Sequence, residues 1–358
     1  MLNYFSNNSQ SGKGILQTLY GTILAVMNIE ESHVIPTPPG LVQSLLAGFD
    51  AITNHIGLVL FPVFLDLFLW LGPHLSLSYL VGIMLNTMAS MPGMNGSDSA
   101  DLLSLNRDMW SSIADRLNFF AVMRTYPVGV PSLMVSILPL KSPQGANLIW
   151  QLPSLSYVLI TSIGLTVGGL LVGTAYFDTV AQAALAGAMD RHQSIRQYLW
   201  IVSQVFLLSL LWFAIITALS IPGGCLMSAM SVGGMNAGRL GLLIAGGLIV
   251  WLIFPLLLSA HGIFVYHKKM WASVRDSVRL TRFTFPTTAL LFLAILVLNE
   301  GLNVLWRIPG DSSWLLLIGV AGHGFVSTGL LAATFIYYRD ASIWLEKMLQ
   351  QLKFSTKK

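Results

Sequence analysis

Five stretches in the second half of this chain are too long and too apolar to sit in water: Leu155–Phe177, Leu199–Ile221, Leu240–Tyr266, Phe285–Trp306 and Trp314–Tyr338. A helix needs about 20 mostly apolar residues to cross roughly 30 Å of hydrocarbon, and each stretch supplies them. An earlier stretch, Ala51–Leu71, contains Pro62 and Asp66 and is stopped by Gly72-Pro73. Hydrocarbon offers no water to backbone polar groups, so runs of this length fold as helices. The sequence therefore predicts an all-α polytopic integral membrane helix bundle, with about six transmembrane helices plus interfacial amphipathic helices. Only 9% of the 358 residues are charged, against about 25% in soluble domains, too few to coat a water-soluble surface of this size.

The stretches divide the chain. Residues 1–40 form an N-terminal extension, partly disordered or interfacial. Its apolar run Ile15–Met27 is too short to span and lacks a small-x-small cleavage pattern, and Met27 is an alternative start. Residues 41–73 hold an interfacial helix (Leu41, Leu45, Leu46 and Phe49 at helical spacing) and the first span. Residues 74–153 form an extracytoplasmic cap, in which Leu102–Met123 is amphipathic. Within that cap, Tyr126–Pro143 is broken by Pro127, Pro131 and Pro139 and reads as a surface loop dipping into the headgroups. Residues 154–339 are a five-span bundle, and 340–358 a cytoplasmic amphipathic tail.

Orientation follows from lysine and arginine. Arg191 and Arg196 lie in one connection, Lys268, Lys269, Arg275, Arg279 and Arg282 in another, and Arg339, Lys347, Lys353, Lys357 and Lys358 in the tail. The alternate short connections hold only Arg239 and Arg307. The positive-inside bias places the C-terminus in the cytoplasm, and six spans return the N-terminus to the same side. Arg275, Arg279 and Arg282 fall at i, i+4 and i+7, with Lys268 and Lys269 upstream. This is a basic amphipathic helix whose expected partner is the lipid bilayer, anionic phospholipids in particular; the net charge of +4 carries no nucleic-acid signal.

Gly164, Gly168, Gly169 and Gly173 let helix backbones approach in lipid. They are expected to serve packing within this chain, with a homodimer seam or another membrane-protein partner as the alternative. Charges in hydrocarbon are costly and invite functional hypotheses; Asp66, Glu300, His323 and His261 qualify. At about 1.5 Å per residue, the first three share the outer half of the membrane. A Glu300–His323 hydrogen bond and a Glu300–Arg307 pair are the expected contacts. Such a cluster is either a proton or cation pathway or a set of polar contacts fixing helix order. His261 lies between Ala260 and Gly262, and His323 between Gly322 and Gly324, which leaves room for a flat macrocycle such as haem. Cys225, Met227, Met230 and Met235 are soft ligands, weak candidates for copper. The residues call for no cofactor. No phosphate-binding glycine loop, His-Glu-x-x-His or Gly-x-Ser-x-Gly is present, so no catalytic residue is expected.

Two segments carry a resemblance. Tyr176–Leu199 has a small-residue run, Ala181–Ala188, before Arg191 and Arg196; Ala272–Trp306 has Ser273-Val274-Arg275-Asp276-Ser277 before an apolar span. Over roughly residues 155–340 the chain resembles uncharacterised bacterial polytopic membrane proteins, including the membrane domain attached to some glycerophosphodiester phosphodiesterases. Nothing here matches the acidic metal-binding strands of their catalytic domain. The resemblance implies a membrane fold and no activity. The expected role is a scaffold or accessory subunit of an envelope or transport assembly. A transporter or permease for a small solute or lipid is the alternative, and a cofactor-bearing redox subunit the third reading.

Overall fold

The computed structural model describes residues 38–90, 97–139, 141–145, 147–186, 194–232, 246–247 and 250–355. Among them the α-helices, in chain order, are α1 (Leu41–Asn54), α2 (Leu60–Leu71), α3 (Ser78–Ala89), α4 (Ser97–Arg116), α5 (Met134–Ile137), α6 (Leu155–Ala184), α7 (Ile195–Val232), α8 (His261–Tyr266), α9 (Met270–Phe283), α10 (Phe285–Trp306) and α11 (Leu316–Ser355). Short 3-10 turns lie at Ile56–Val59, Phe119–Met123 and Phe254–Leu256. The architecture is an all-α bundle. Helices α6, α7, α10 and α11 are each long and apolar enough to cross a membrane, which makes this a membrane protein. Their lipid-facing surface carries exposed Ile160, Ile163, Phe213, Leu296 and Ile318, side chains that only an apolar solvent accommodates in such numbers.

Helix α11 is the central post. Phe335, Tyr337 and Ala341, on its second half, are fully buried. Helix α1 lies along this half: a Cβ on Gly48 would stand 2.7 Å from Ala333 Cα, so the missing side chain is what lets the two backbones meet. Phe49 stacks 5.8 Å from Phe325. The chain then bends by 94° between α1 and the run Ile56–Leu71. Helix α2 follows the other half of α11, with Pro62 against Gly324. At the far end Trp70 Nε1 donates to Asp311 O at 2.8 Å, and Trp70 meets Trp314 edge-on.

Together α1 and α2 run the length of the post. This corrects the expected straight span Ala51–Leu71 behind a surface-lying helix: the span is broken at Asn54–Val59, and α1 is docked on α11. Asp50, Thr53, Asn54 and His55 are exposed at the bend, polar side chains that a continuous apolar helix would have carried into lipid.

Helix α10 has the bounds expected from its sequence and runs antiparallel to α11: Thr288 meets Tyr337 and Asn303 meets His323. Helix α6 runs parallel to α11, tied by Tyr176 OH donating to Thr328 Oγ1 at 3.0 Å. The expected span Leu240–Tyr266 lies partly outside the described residues. Its longest described stretch, Val250–Tyr266, is shorter than a span and is interrupted by the 3-10 turn at Phe254–Leu256. The described residues thus supply four long helices and one bent pair, five candidate spans against the expected six.

The interruption frees carbonyls, and α9 takes them. Ser273 Oγ donates to Ser259 O at 2.6 Å, and Ser277 Oγ to Pro255 O at 2.7 Å. Freed backbone acceptors in an apolar surrounding need such partners. The buried face of α9 is accordingly a hydroxyl stripe of Ser273, Ser277 and Thr281. Its opposite face carries the arginines and defines the basic end of the bundle.

The start and the finish of the connection 74–153 meet at the cap end. The helical expectation missed a two-stranded parallel ribbon, β1 (His74–Ser76) with β2 (Ile149–Gln151), in the register His74↔Ile149. It ties the start of this connection to its finish.

Candidate functional site

The polar chemistry converges on the segment Phe119–Ile137. Its prolines exclude a long helix, as expected, but it is not a surface loop. Val128 and Leu133 are fully buried and Val130 and Met134 nearly so. The segment lies against α6 at two glycines. A Cβ on Gly169 would come within 2.8 Å of the Met123 carbonyl carbon, and one on Gly173 within 2.8 Å of Gly129 Cα. Gly169 and Gly173 therefore receive irregular backbone rather than a partner helix. Among the described residues nothing lies within 4 Å of a Cβ built on Gly164 or Gly168. Among the described residues, half of the small-residue stripe packs inside the chain, where all four glycines were expected to.

Irregular backbone at this depth is tolerated where protein supplies its hydrogen bonds. Asp66, fully buried on α2, supplies three. Its carboxylate accepts from Ser132 Oγ at 2.5 Å, Leu133 N at 3.0 Å and Met134 N at 3.1 Å. The group caps the one-turn helix α5. Asn118 closes the other end of the segment. Its Oδ1 accepts from Leu75 N and Phe120 N, and its Nδ2 donates to Leu69 O and Pro73 O. Asn118 thus joins α2, β1 and the inserted segment. Beside it, His74 is buried with Nε2 unpartnered among the described residues, and burial pushes its imidazole below the ordinary 6.5.

The expected Glu300–His323 hydrogen bond does not form, and Asp66 touches neither group. His323 Nδ1 donates to Asn303 Oδ1 at 2.9 Å, linking α11 to α10. Glu300 is exposed and its carboxylate accepts from its neighbour Asn299 at 3.1 Å. No ion pair joins it to Arg307 among the described residues. Depth arithmetic placed Glu300 and His323 near one level, but Asn303, three residues on, holds the face turned to α11. Arg124, on the inserted segment, lies within electrostatic range of Asp66, Glu300 and His323, so the groups share a neighbourhood without sharing hydrogen bonds.

His261 lies at the other end, on α8. Thr334 Oγ1 donates to Leu331 O, so it accepts from His261 Nε2, at 2.8 Å. The ring centre stands 4.7 Å from that of Phe335 and 5.6 Å from that of Tyr338. The flanking glycines leave no slot for a macrocycle. A Cβ on Gly262 would meet Tyr338 Oη at 2.8 Å, and one on Gly322 would meet the Trp306 ring at 2.6 Å. Protein occupies the room assigned to haem. Of the copper candidates, Cys225, Met227 and Met230 fall on the final turns of α7, and Met235 lies outside the described residues. Asp178, buried on α6 and accepting from Gln182 Nε2 at 2.7 Å, is an acidic group that span-hunting overlooked, because the apolar run ends one residue before it.

At the basic end, Lys268 is not free for lipid. It binds Asp276 at 2.6 Å and stands 4.8 Å from the centre of the Tyr266 ring. Lys269, Arg275, Arg279 and Arg282 are exposed, with no ion pair among the described residues.

Clefts flank the inserted segment on both sides. One of about 440 Å³ is lined by Leu60, Phe64, Phe68, Met123 and Val130. Another, of about 680 Å³ between α6 and α7, is lined by Tyr126, Thr166, Phe206, Ser209 and Phe213. Both are largely apolar. Comparison with protein-family models, with curated proteins and with solved structures finds no match for this chain.

Proposed function

We propose that the protein is a non-enzymatic component of a bacterial plasma membrane, a scaffold or accessory subunit of an envelope or transport assembly. In this reading the basic end and both termini face the cytoplasm and the cap faces out. One observation carries it: the fully buried Asp66 carboxylate is engaged by three donors from its own chain. Three of the roughly four acceptor sites of a carboxylate are thus taken by its own chain, which commits the group to structure rather than to a travelling ion. His261 and His323 are likewise hydrogen-bonded to Thr334 and Asn303. Intramembrane polar groups used in this manner fix helix order.

The test measures abundance and partners together. Asp66→Asn should lower the amount of folded protein in the membrane, whereas Glu300→Gln, at an exposed position, should not. Purification in mild detergent should bring down a stoichiometric membrane partner with the wild type. A chain that elutes alone from its native membrane, at every detergent mildness tried, ends the scaffold reading.

A second reading, a carrier of an amphiphilic solute, draws on the 680 Å³ cleft, where Ser209 Oγ is buried without a partner among the described residues. Flux in proteoliposomes that falls with Ser209→Trp while abundance holds would favour it.

A further inference from the structure

We propose that α9 is a binding site for anionic phospholipid headgroups of the leaflet at the basic end, and that the bound lipid steadies the interrupted segment Val250–Tyr266. The inference goes beyond the scaffold reading and holds whether or not a protein partner exists.

Two faces of one helix carry it. The inner face is fixed: Ser273 and Ser277 hold the carbonyls of Ser259 and Pro255, and Gln204 Oε1 accepts from Met270 N at 3.0 Å. The outer face presents Arg275, Arg279 and Arg282, all exposed, along about 10 Å of helix. Asp276, the one acid of α9, is already neutralised by Lys268, so the arginine stripe keeps its charge uncompensated. Guanidinium groups in such a row match phosphate oxygens in pairs.

Exposed aromatics set the choice of anion. Trp271, near one end of the helix, is 65% exposed, and Phe283, at the other, is 48% exposed. A dissolved phosphate has no use for these rings; the boundary between headgroups and acyl chains does. Charge and apolarity together therefore select a lipid. Because the inner face of α9 carries the hydroxyls that repair the break, a lipid holding the outer face also holds Ser273 and Ser277 in place.

The test uses the full chain in nanodiscs of phosphatidylcholine alone or mixed with phosphatidylglycerol. Mixed discs should give the higher melting temperature and slower amide exchange over 254–266. Phosphatidylglycerol should be retained over phosphatidylcholine when the protein is extracted. Arg275→Gln/Arg279→Gln/Arg282→Gln should weaken that retention on the order of 100-fold, from about 1 kcal/mol per basic residue near an anionic surface. Arg107→Gln on the cap should leave it unchanged. Should the triple variant fail to fold, sodium chloride decides on the wild type: molar salt should abolish the difference between the two discs. Equal behaviour in both discs, retention that survives the triple variant, or a salt-insensitive difference each overturns the proposal. So does inorganic phosphate raising the melting temperature equally in phosphatidylcholine discs, which would mark a soluble-anion site.

Discussion

Replacing Asp66 by alanine removes the acceptor for three hydrogen bonds in one step. The Ser132 hydroxyl can rotate to another acceptor, but Leu133 N and Met134 N are fixed by the backbone at the start of α5. Each orphaned buried donor costs about 1–3 kcal/mol, so the variant should lose about 2–6 kcal/mol. At about 2 °C per kcal/mol for a chain larger than a small domain, the melting temperature in a fixed detergent should fall by about 4–12 °C. Asp66→Asn keeps one acceptor oxygen and should show about half the loss. The measurement is a thermal melt followed by intrinsic fluorescence, since Trp70 lies on the same helix and Trp150 on the ribbon next to the segment. A double cycle with Ser132→Ala sharpens it: contacting residues couple by about 0.5–3 kcal/mol. If Asp66→Ala melts within 2 °C of wild type (on the order of the noise expected from ~1 kcal/mol), the carboxylate does not hold the segment and the reasoning fails.

Ser273→Ala and Ser277→Ala should each cost about 1–3 kcal/mol by orphaning the carbonyls of Ser259 and Pro255, read as faster amide exchange at Val250–Tyr266. Gly48→Val should destabilise by about 1–3 kcal/mol or more through collision with Ala333, whereas Gly164→Val, whose new side chain meets open space, should leave the melt of the isolated chain unchanged. A lower pH should loosen the cap through His74. Its folded form resists protonation, so its contribution is complete above the ordinary value of 6.5 and is lost as pH falls below it. Proteolysis of the cap should accelerate from pH 7 towards pH 5 (about the window a lowered imidazole samples), and His74→Gln should flatten that dependence.

Four of the long apolar runs mark where long helices lie among the described residues. Phe285–Trp306 matches α10 at both ends, because Pro286 and the Arg307-Ile308-Pro309-Gly310 turn mark its limits as clearly as its apolarity does. What the runs could not report was path. Ala51–Leu71 is apolar enough on average to hide the break, although Asn54, His55 and Gly57 sit inside it. The prolines of Tyr126–Pro143 correctly forbade a helix, yet composition cannot distinguish a segment lying on a membrane from one lodged between helices. That difference is made by Gly169, Gly173 and Asp66, contributed from elsewhere in the chain. Helical depth put Asp66, Glu300 and His323 near one level, while the azimuth around each axis sent them to separate partners. Asn118, Ser132 and Asn303 were invisible as site residues, since an uncharged polar side chain acquires its role only from what it is packed against.

The post that organises the bundle is made long after the helix that docks along its second half. Helix α1 docks along α11, whose first residue lies about 275 positions downstream; at 5–20 residues per second that is a wait of roughly 15–55 s during synthesis. Throughout it, the exposed polar bend at Asn54–Val59 and the close-packing face around Gly48 have no mate. Insertion of α1 and α2 must therefore be provisional, with their final tilt adopted only after α11 arrives. Truncation before Leu316 would leave α1 and α2 without the helix they dock along, so α11 is what commits this segment to its final place.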